Sequence, residues 1–261
     1  MSVKRKLAIK RRYNRLDKMI ADRFFGYDRS HLMAALRKLG VADGDTVMVH
    51  SSFRMNSGFK GTAQDIIDCL LEAVGPSGNL LMVSLAYGSS SLEYLMTQPT
   101  FDVRKTPSMM GFISETFRRR SGVARSLSPV HPVLAFGEKS AWIVEGHEKC
   151  LYPCGEGSPF EKLKLLNGKV LFYNVAFPFT FFHHIEHLMR DRLSVPLYTE
   201  KPIPAKVVNY QGEAIVVNSF VFPKRIYSTR RTRMLKDRLL KESLLKKVRI
   251  GRGDLKLVKA D

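Results

Sequence analysis

The chain has 261 residues, of which 44% are hydrophobic and 26% are charged, and it contains three cysteines. This composition is typical of a globular protein with a sizeable core, and no low-complexity segment interrupts it. No apolar run approaches the roughly 18 residues of a membrane-spanning helix, and the cysteines are too few for a disulfide framework. The basic start lacks a continuous apolar segment, so we predict no secretory signal and expect a cytoplasmic protein.

The net charge of +19 is concentrated at the two ends of the chain. Residues 1–18 hold eight Lys or Arg and one Asp, and residues 223–261 hold fourteen Lys or Arg and four Asp or Glu. The remaining residues carry only +2. Such ends are either solvated or bind phosphate, in RNA, in anionic lipid or in a ligand. Because they contain few aromatic residues for stacking on bases, a specific nucleic-acid partner is not expected.

In chain order, the pattern predicts a basic helical lead-in over 1–28, an α/β domain over 29–222 and a basic, helical extension over 223–261. The domain begins with a helix at 29–39 and a strand at 46–50, and then continues with a loop at 51–61, a helix at 62–74 and a strand at 79–84. Strand, loop, helix and strand form a right-handed βαβ unit of a mainly parallel sheet. Such sheets bind ligands at the carboxyl ends of their strands, which is where the 51–61 loop lies.

The 51–61 loop has neither a Walker pattern nor a GxGxxG pattern. Its hydroxyls, its backbone amides and Arg54 could hold a pyrophosphate or an amide-bearing arm, or the loop is an ordinary connection. Ser108 is predicted at the start of a helix over 112–119, where exposed amides favour an anion or a carbonyl oxygen. His131 lies between prolines in a second polar loop. His147, Cys150 and Cys154 have spacings that a metal could use, but further ligands are missing and no metal is expected.

The stretch 174–190 holds the strongest candidates for catalysis. A strand at 169–175 ends there in a loop, and Thr180 is predicted to cap a helix that carries His183 and Glu186. A spacing of three residues places this imidazole and this carboxylate on one helical face. Such a pair suits general base chemistry, because the carboxylate fixes the imidazole tautomer and stabilises the imidazolium. Alone the pattern is weak, since a lone histidine is more often structural, and His184 and His187 are interpreted as structural.

Several blocks in this order resemble the aminoglycoside 3-N-acetyltransferase family. The first blocks are LxKLGVxxGDxVMVHSS at 36–52, GxxGTxxDIID at 58–68, AVGPSGxLLM at 73–82 and FDxRxTPSxMG at 101–111. The later blocks are ETFRRR at 115–120, RSLxPxHPV at 125–133, PCGxGSP at 153–159, GKVL at 168–171 and TFFHHIE at 180–186. The similarity runs over about 29–222, and it strengthens the interpretation of His183 and Glu186.

The resemblance implies a three-layer α/β/α sandwich around a mixed, largely parallel sheet. It also implies transfer of an acetyl group from acetyl-CoA, a coenzyme A thioester, to a primary amine without a metal. His183 would be the general base, Glu186 its orienting partner and Thr180 a hydroxyl near the acetyl carbonyl. The residues implied at the CoA pocket are Ser51, Ser52, Phe53, Arg54, Ser108 and Met110.

Two departures from the family pattern concern the acceptor. Phe179 stands where the family has Asn, and one family histidine is missing at 128–132 while His131 remains. We expect Phe179 and His131 in an acceptor pocket of altered shape. Because the basic ends repel polycations, we expect an anionic amino sugar, nucleotide-linked or phosphorylated, from polysaccharide or natural-product assembly. An aminoglycoside 3-N-acetyltransferase that confers resistance is the alternative.

Two further interpretations are compatible with the sequence. An acyl carrier protein could replace coenzyme A as the donor, because its acidic surface could bind the basic ends. The chain could instead be a non-catalytic binder of nucleic acid or anionic membrane. A pure binder has no reason to keep Thr180, His183 and Glu186 in register, which favours the enzyme.

Overall fold

The computed structural model describes residues 3–54, 56–177 and 180–260. Its α-helices are α1 (Val3–Phe24), α2 (Arg29–Leu39), α3 (Ala63–Val74), α4 (Ser91–Met96), α5 (Phe112–Arg118), α6 (Ser140–Val144), α7 (Pro159–Leu165), α8 (Phe182–Leu188), α9 (Lys224–Thr229) and α10 (Thr232–Lys241). Its strands are β1 (Thr46–Ser51), β2 (Asn79–Val83), β3 (Thr100–Asp102), β4 (Ala124–Arg125), β5 (Val133–Gly137), β6 (Lys169–Tyr173), β7 (Ile203–Val208), β8 (Ala214–Ser219), β9 (Lys246–Ile250) and β10 (Gly253–Lys259). Short 3₁₀ turns cover His147–Lys149 and Arg190–Arg192.

Seven strands form the central sheet in the order β4-β5-β2-β1-β6-β10-β9. The pairs β2–β1 and β1–β6 are parallel, and the pairs on both sides of them are antiparallel. The predicted mixed sheet is therefore confirmed, with its parallel part confined to the three strands at the centre. A separate sheet, β3-β7-β8, carries no strand of the central one.

The core is divided between the two faces of this sheet. Along β1, Val47 and Val49 face one apolar cluster, which includes α2, α3 and α5, while Met48 faces the other. The second cluster includes residues of α6 and α7, among them Phe160 and Leu163. Alternate residues of a strand point to opposite faces, so a central strand buried on both sides is apolar throughout. This arrangement gives the three layers that the family resemblance implied.

The βαβ unit forms where the sequence places it, because its ends carry strong local signals. Thr62 and Asp65 form a reciprocal capping box at the start of α3, and Gly75 ends the helix with a positive φ of 69°. Each such cap contributes about 1 kcal/mol and fixes where the helix begins. The strand that follows, β2, is buried at all five positions.

The end of the chain differs from the helical extension expected over 223–261. Helices α9 and α10 are present, but they are followed by β9 and β10, and β10 pairs with β6 inside the central sheet. Leu255 and Leu257 alternate in β10 and are buried in the core. The dense Lys and Arg residues suggested a solvated helix, whereas the alternating apolar residues of β10 determine its place. Within the described residues, no helix is long and apolar enough to cross a membrane.

Candidate active site

A cavity of about 380 Å³ opens at the carboxyl ends of the three parallel strands. Ser51 ends β1, Val83 ends β2, and Val175 and Ala176 follow β6, and all four line the cavity. The other lining residues are Val49, His50, Met110, Ser114, Thr180, Phe182, His183, Arg230 and Thr232. This is the edge at which open α/β sheets bind their ligands, as the sequence predicted.

His183 and Glu186 are held together on one face of α8. His183 Nδ1 lies 2.9 Å from Glu186 Oε2, and both side chains are largely buried. Since a carboxylate can only accept, Nδ1 carries the hydrogen and Nε2 is left with its lone pair. The spacing of three residues therefore produces the orientation that a histidine base requires.

Thr180 lies on the cavity wall, but it does not cap the helix. The residue before α8 is Phe181, and no side chain makes a capping hydrogen bond there. Thr180 contributes its backbone instead, since its carbonyl oxygen accepts from the His183 N–H at 3.0 Å. The threonine side chain is thus not used in capping and faces the cavity.

Arg230 joins the pair from the segment between α9 and α10. Its Nε lies 2.7 Å from Glu186 Oε1 and its Nη2 lies 2.8 Å from Glu186 Oε2, which is a two-point guanidinium–carboxylate contact. The same Nη2 lies 3.3 Å from His183 Nδ1. The guanidinium is also 4.9 Å from the Phe222 ring centre and 4.8 Å from that of Tyr227. Two-point contacts and aromatic stacking fix a guanidinium firmly, so Glu186 is held from both sides.

The electrostatics of this cluster favour a neutral histidine beside a charged carboxylate. Burial lowers the pKa of His183, with a smaller lowering by Arg230, and the hydrogen bond that His183 donates to Glu186 opposes this shift. Burial alone would raise the pKa of Glu186, but the hydrogen bonds from His183 and Arg230 outweigh it and lower the pKa. His183 is therefore unprotonated near neutral pH and able to accept a proton at Nε2.

Two further histidines lie beside His183. His131 is buried, and its ring meets the His183 ring edge to face with 5.4 Å between centres. It is not among the residues that line the cavity. His50, at the end of β1, does line the cavity, and burial lowers the pKa of its imidazole to about 4.

Of the six residues expected at the CoA pocket, two line the cavity, two make hydrogen bonds within the protein, and two line a separate cleft. Ser51 and Met110 line the cavity. Ser108 is buried and lies 3.0 Å from Ser114 through their hydroxyls, and its N–H donates to Glu115 Oε2 at 2.8 Å. The Ser52 N–H donates to the Tyr173 carbonyl at 3.0 Å and so continues the β1–β6 pairing.

The third group, Phe53 and Arg54, lines a separate cleft of about 540 Å³. The other residues of this cleft are Lys18, Asp22, Phe59, Lys60 and Gly61. Phe53 packs on Phe112 with 5.8 Å between ring centres, and Arg54 is exposed. The cleft therefore combines aromatic surface with basic side chains. Phe179, expected in the acceptor pocket, lies outside the described residues.

Three of the remaining histidines make hydrogen bonds that give them structural roles. His147 bonds through one ring nitrogen to Ser126 Oγ at 2.8 Å and through the other to the Pro153 carbonyl at 2.7 Å. His184 bonds to the Cys154 carbonyl and His187 to the Tyr198 hydroxyl. In the part of the chain that the structure describes, no group of three His, Cys, Asp or Glu side chains could hold a metal ion.

Sequence reasoning missed Arg230, His50, Ser114 and Thr232. His50 could have been found, because it ends a buried strand whose carboxyl end was expected at the site. Ser114 could have been found as well, since it is the third residue of the helix predicted after Ser108. Arg230 and Thr232 lie among many basic residues near the end of the chain, and no local spacing distinguishes them.

Fold and site together define an α/β protein with a carboxylate-held histidine at the carboxyl edge of a mixed sheet. The chain belongs to the antibiotic N-acetyltransferase family, whose model, described as aminoglycoside 3-N-acetyltransferase, matches residues 48–261. The resemblance noted in the sequence is thereby confirmed. An aminoglycoside N(3)-acetyltransferase III of Salmonella sp is 30% identical over 158 residues, which cover 56% of this chain. That alignment covers 54% of the relative, so the chain spans about half the length of the curated relatives it matches.

Solved structures give the same family over a longer stretch. The structure described as AAC-IIIb binary with CoASH has a TM-score of 0.74 and 27% identity, and the match covers 90% of this chain and 92% of that one. AAC-VIa bound to sisomicin has a TM-score of 0.70 and 25% identity, with coverage of 90% and 93%. YokD from Bacillus subtilis, at 23% identity and a TM-score of 0.72, shares the fold over 90% of both chains.

Proposed function

We propose that this chain transfers an acetyl group from acetyl-CoA to a primary amine, with His183 as the general base. The observation that carries the proposal is the cluster of His183, Glu186 and Arg230, of which His183 and Arg230 line the cavity. Family membership supports the choice of reaction, because the relatives are named as N-acetyltransferases.

The chemistry follows from the state of the histidine. An ammonium group is not nucleophilic, so the amine must lose a proton before or during attack on the thioester carbon. The ammonium first loses one proton to solvent. As the neutral amine attacks, the new C–N bond forms and His183 Nε2 takes a second proton from that nitrogen. The C–S bond breaks, and the coenzyme A thiolate leaves and then takes the proton held by His183. Glu186, held by Arg230, stabilises the imidazolium that results. A positioned base of this kind contributes on the order of 10²–10⁴-fold. Thr180 is the hydroxyl proposed to donate to the thioester oxygen as it gains charge.

For the donor, we propose that the acyl end lies in the cavity beside Ser51 and Met110. The 51–54 segment leads from there to the cleft of Phe53 and Arg54, where Arg54 and Lys60 suit the phosphates of coenzyme A, while Lys18 is paired with Asp22. Ser108 is proposed to act through its hydroxyl contact to Ser114, which itself lines the cavity. The CoASH complex named among the similar structures supports coenzyme A as the donor.

For the acceptor, we propose an aminoglycoside as the first class to test, because the relatives carry that name. The anionic amino sugar expected from the net charge is the second candidate. One observation favours it: among the described residues that line the cavity, none is Asp or Glu. A polycation normally requires carboxylates, so the cavity itself offers an aminoglycoside little charge attraction.

The test is release of free thiol from acetyl-CoA by purified protein, with aminoglycosides and nucleotide-linked amino sugars as acceptors. We expect turnover with at least one amine, and we expect His183→Ala to abolish most of it while the protein remains folded. His31→Ala is the matched control, because His31 lies exposed at the start of α2. If His183→Ala retained the unmodified rate, the base would be wrongly assigned. If the protein bound acetyl-CoA and turned over none of these amines, the proposed acceptors would be wrong.

A further inference from the structure

Helix α1 contacts the rest of the protein through one face near its carboxyl end. Ala21 is fully buried there. Asp17 accepts from Asn56 Nδ2 at 2.5 Å and forms an ion pair with Arg252. The helix is 22 residues long, and its described side chains before Asp17 are exposed. Helix α1 is therefore held to the rest of the protein by a small contact area near its carboxyl end, and most of its length faces solvent.

An apolar stripe follows the outward side of α1. Ile9, Tyr13, Leu16, Ile20 and Phe24 recur at spacings of four, three, four and four residues and are between 47% and 73% exposed. On an α-helix these positions fall within roughly 80° of one another, so they form one continuous strip. Scattered apolar residues are normal on a protein surface, but a strip of five along one helix indicates something that covers it.

The rest of this helix is strongly basic. Residues 3–24 hold nine Lys or Arg and two Asp, which leaves a net charge of +7. Arg12 and Arg23 lie beside the apolar strip on the helix surface, and both are exposed. An apolar strip bordered by arginines is the pattern of helices that lie in the plane of a membrane interface.

The positive charge of α1 distinguishes between the partners that could cover the apolar strip. A second copy of the chain would bring two helices of +7 together, which opposes pairing through this strip. A nucleic acid would use the charge, but it would leave Ile9, Leu16 and Ile20 exposed to water. An anionic bilayer surface satisfies both features, because lipid phosphates attract the cations and the acyl boundary accepts the apolar strip.

We propose that α1 is a membrane-surface helix that holds this protein against anionic lipid, with Ile9, Tyr13, Leu16, Ile20 and Phe24 inserted at the acyl boundary. The five residues of the strip line neither the cavity nor the cleft proposed for coenzyme A, so the inference does not depend on the reaction proposed there.

The test is co-sedimentation of the full chain with vesicles of phosphatidylcholine alone or mixed with phosphatidylserine. We expect binding to the anionic vesicles to be stronger by about tenfold or more and to weaken as salt is added. The paired substitution Leu16→Gln and Ile20→Gln removes apolar surface without changing charge, and we expect it to lower binding by about tenfold. The matched control is Met96→Gln with Val216→Gln, at two apolar side chains of comparable exposure elsewhere in the fold, which should bind as the unmodified protein does.

Several results would overturn the proposal. Equal sedimentation with neutral and anionic vesicles, or unchanged binding in the Leu16→Gln and Ile20→Gln variant, would rule out insertion of the strip. Conversion of a dimer to a monomer by the same variant, measured by light scattering, would show that a second copy covers the strip. Retention on heparin together with no preference for anionic vesicles would indicate a general polyanion binder. Circular dichroism melting checks that each variant is folded.

Discussion

Arg230 closes on Glu186 through two nitrogen–oxygen contacts, 2.7 Å and 2.8 Å long, across 44 residues of sequence. The contact links the segment before α10 to the helix that carries His183. It gives Glu186 two partners at once, since Oε2 also accepts from His183 Nδ1. The orientation of His183 therefore depends on the contact between Arg230 and Glu186.

The first prediction concerns the loss of this guanidinium. In Arg230→Gln, the nearly buried Glu186 loses its charged partner, and we expect the free energy of unfolding to fall by about 3 kcal/mol. Arg230 also lowers the pKa of His183, so the acidic limb of the kcat/KM profile for acetyl transfer should move to higher pH. Arg233→Gln is the control, since the Arg233 side chain is 94% exposed. An unchanged pH profile in Arg230→Gln would show that Arg230 has no electrostatic effect on the histidine.

The second prediction concerns Glu186, whose loss should shift the acidic limb of the pH profile in the opposite direction. Burial lowers the pKa of His183 below its ordinary 6.5, so the unmodified protein should lose acetyl transfer only as the pH falls below that value. Glu186→Gln removes a hydrogen bond and a charge that both raise this pKa, so the acidic limb should move to lower pH. The rate should also fall by roughly 10²-fold, because the imidazolium loses its counter-ion. Opposite shifts in Glu186→Gln and Arg230→Gln would not arise from a general loss of structure. Shifts in the same direction would contradict the assigned roles.

The third prediction concerns stability in acid. The pKa values of six histidines are lowered, mainly by burial, and those of His50 and His147 fall from 6.5 to about 4. Below pH 6.5 the unfolded chain therefore binds protons that the folded protein does not, and stability falls as the pH falls. Between pH 6.5 and 4, we expect His50 and His147 each to remove about 3 kcal/mol from the free energy of unfolding. Urea denaturation at several pH values measures this slope.

A variant separates this effect from ordinary acid denaturation. His147→Gln should reduce the slope between pH 6.5 and 4, because one buried titrating group is gone. His31→Gln, at an exposed position, should leave the slope unchanged. A free energy of unfolding that stayed constant from pH 7 to pH 5 would mean that the buried histidines do not control acid stability.

The fourth prediction concerns the approach of β10 to the loop after β6. A Cβ at Gly253 would lie 1.7 Å from Asn174 Oδ1, so the backbone must shift in Gly253→Ala. We expect a loss of about 2 kcal/mol in stability, and a lower rate because Val175 and Ala176, next to Asn174, line the cavity. Gly88→Ala is the control, since nothing lies within 4 Å of its added Cβ.

A second substitution tests the reason for that loss. Asn174 has a positive φ of 55°, which glycine tolerates, so Asn174→Gly removes the clashing side chain without backbone strain. Combined with Gly253→Ala it should restore most of the lost stability. A double variant no more stable than Gly253→Ala would mean that the contact with Asn174 is not the cause.

The local parts of the site could be predicted from the sequence. His183 and Glu186 are three residues apart on a helix, so their contact follows from helical geometry alone. The 51–61 loop follows a buried strand, and the topology of a βαβ unit places such a loop at the ligand edge. The first prediction needed only the period of the α-helix, and the second needed only the usual topology of a βαβ unit.

The distant parts could not be predicted in this way. Arg230 contacts Glu186 because the chain after β8 returns to the site. It is one of fourteen Lys and Arg residues in 223–261, and no local sequence pattern distinguishes it from the others. The many charged residues of this region also led the sequence analysis to miss strand β10, in which leucines alternate with lysine and aspartate. His131, expected in the acceptor pocket, does not line the cavity, and its buried ring packs on that of His183. In each case the deciding contact joins residues that are far apart in sequence.

The position of β10 also bears on how the protein is made. During synthesis, β6 emerges from the ribosome about 80 residues before the strand that covers its free edge. Until residues 253–259 arrive, the nascent chain presents Val170, Leu171 and Phe172 on an unpaired edge, which is a template for association with other chains. Arg230 also arrives after β6 and α8. The cluster of His183, Glu186 and Arg230 is therefore completed late in translation, and we expect a chaperone that shields β6 during that interval to raise the yield of folded protein.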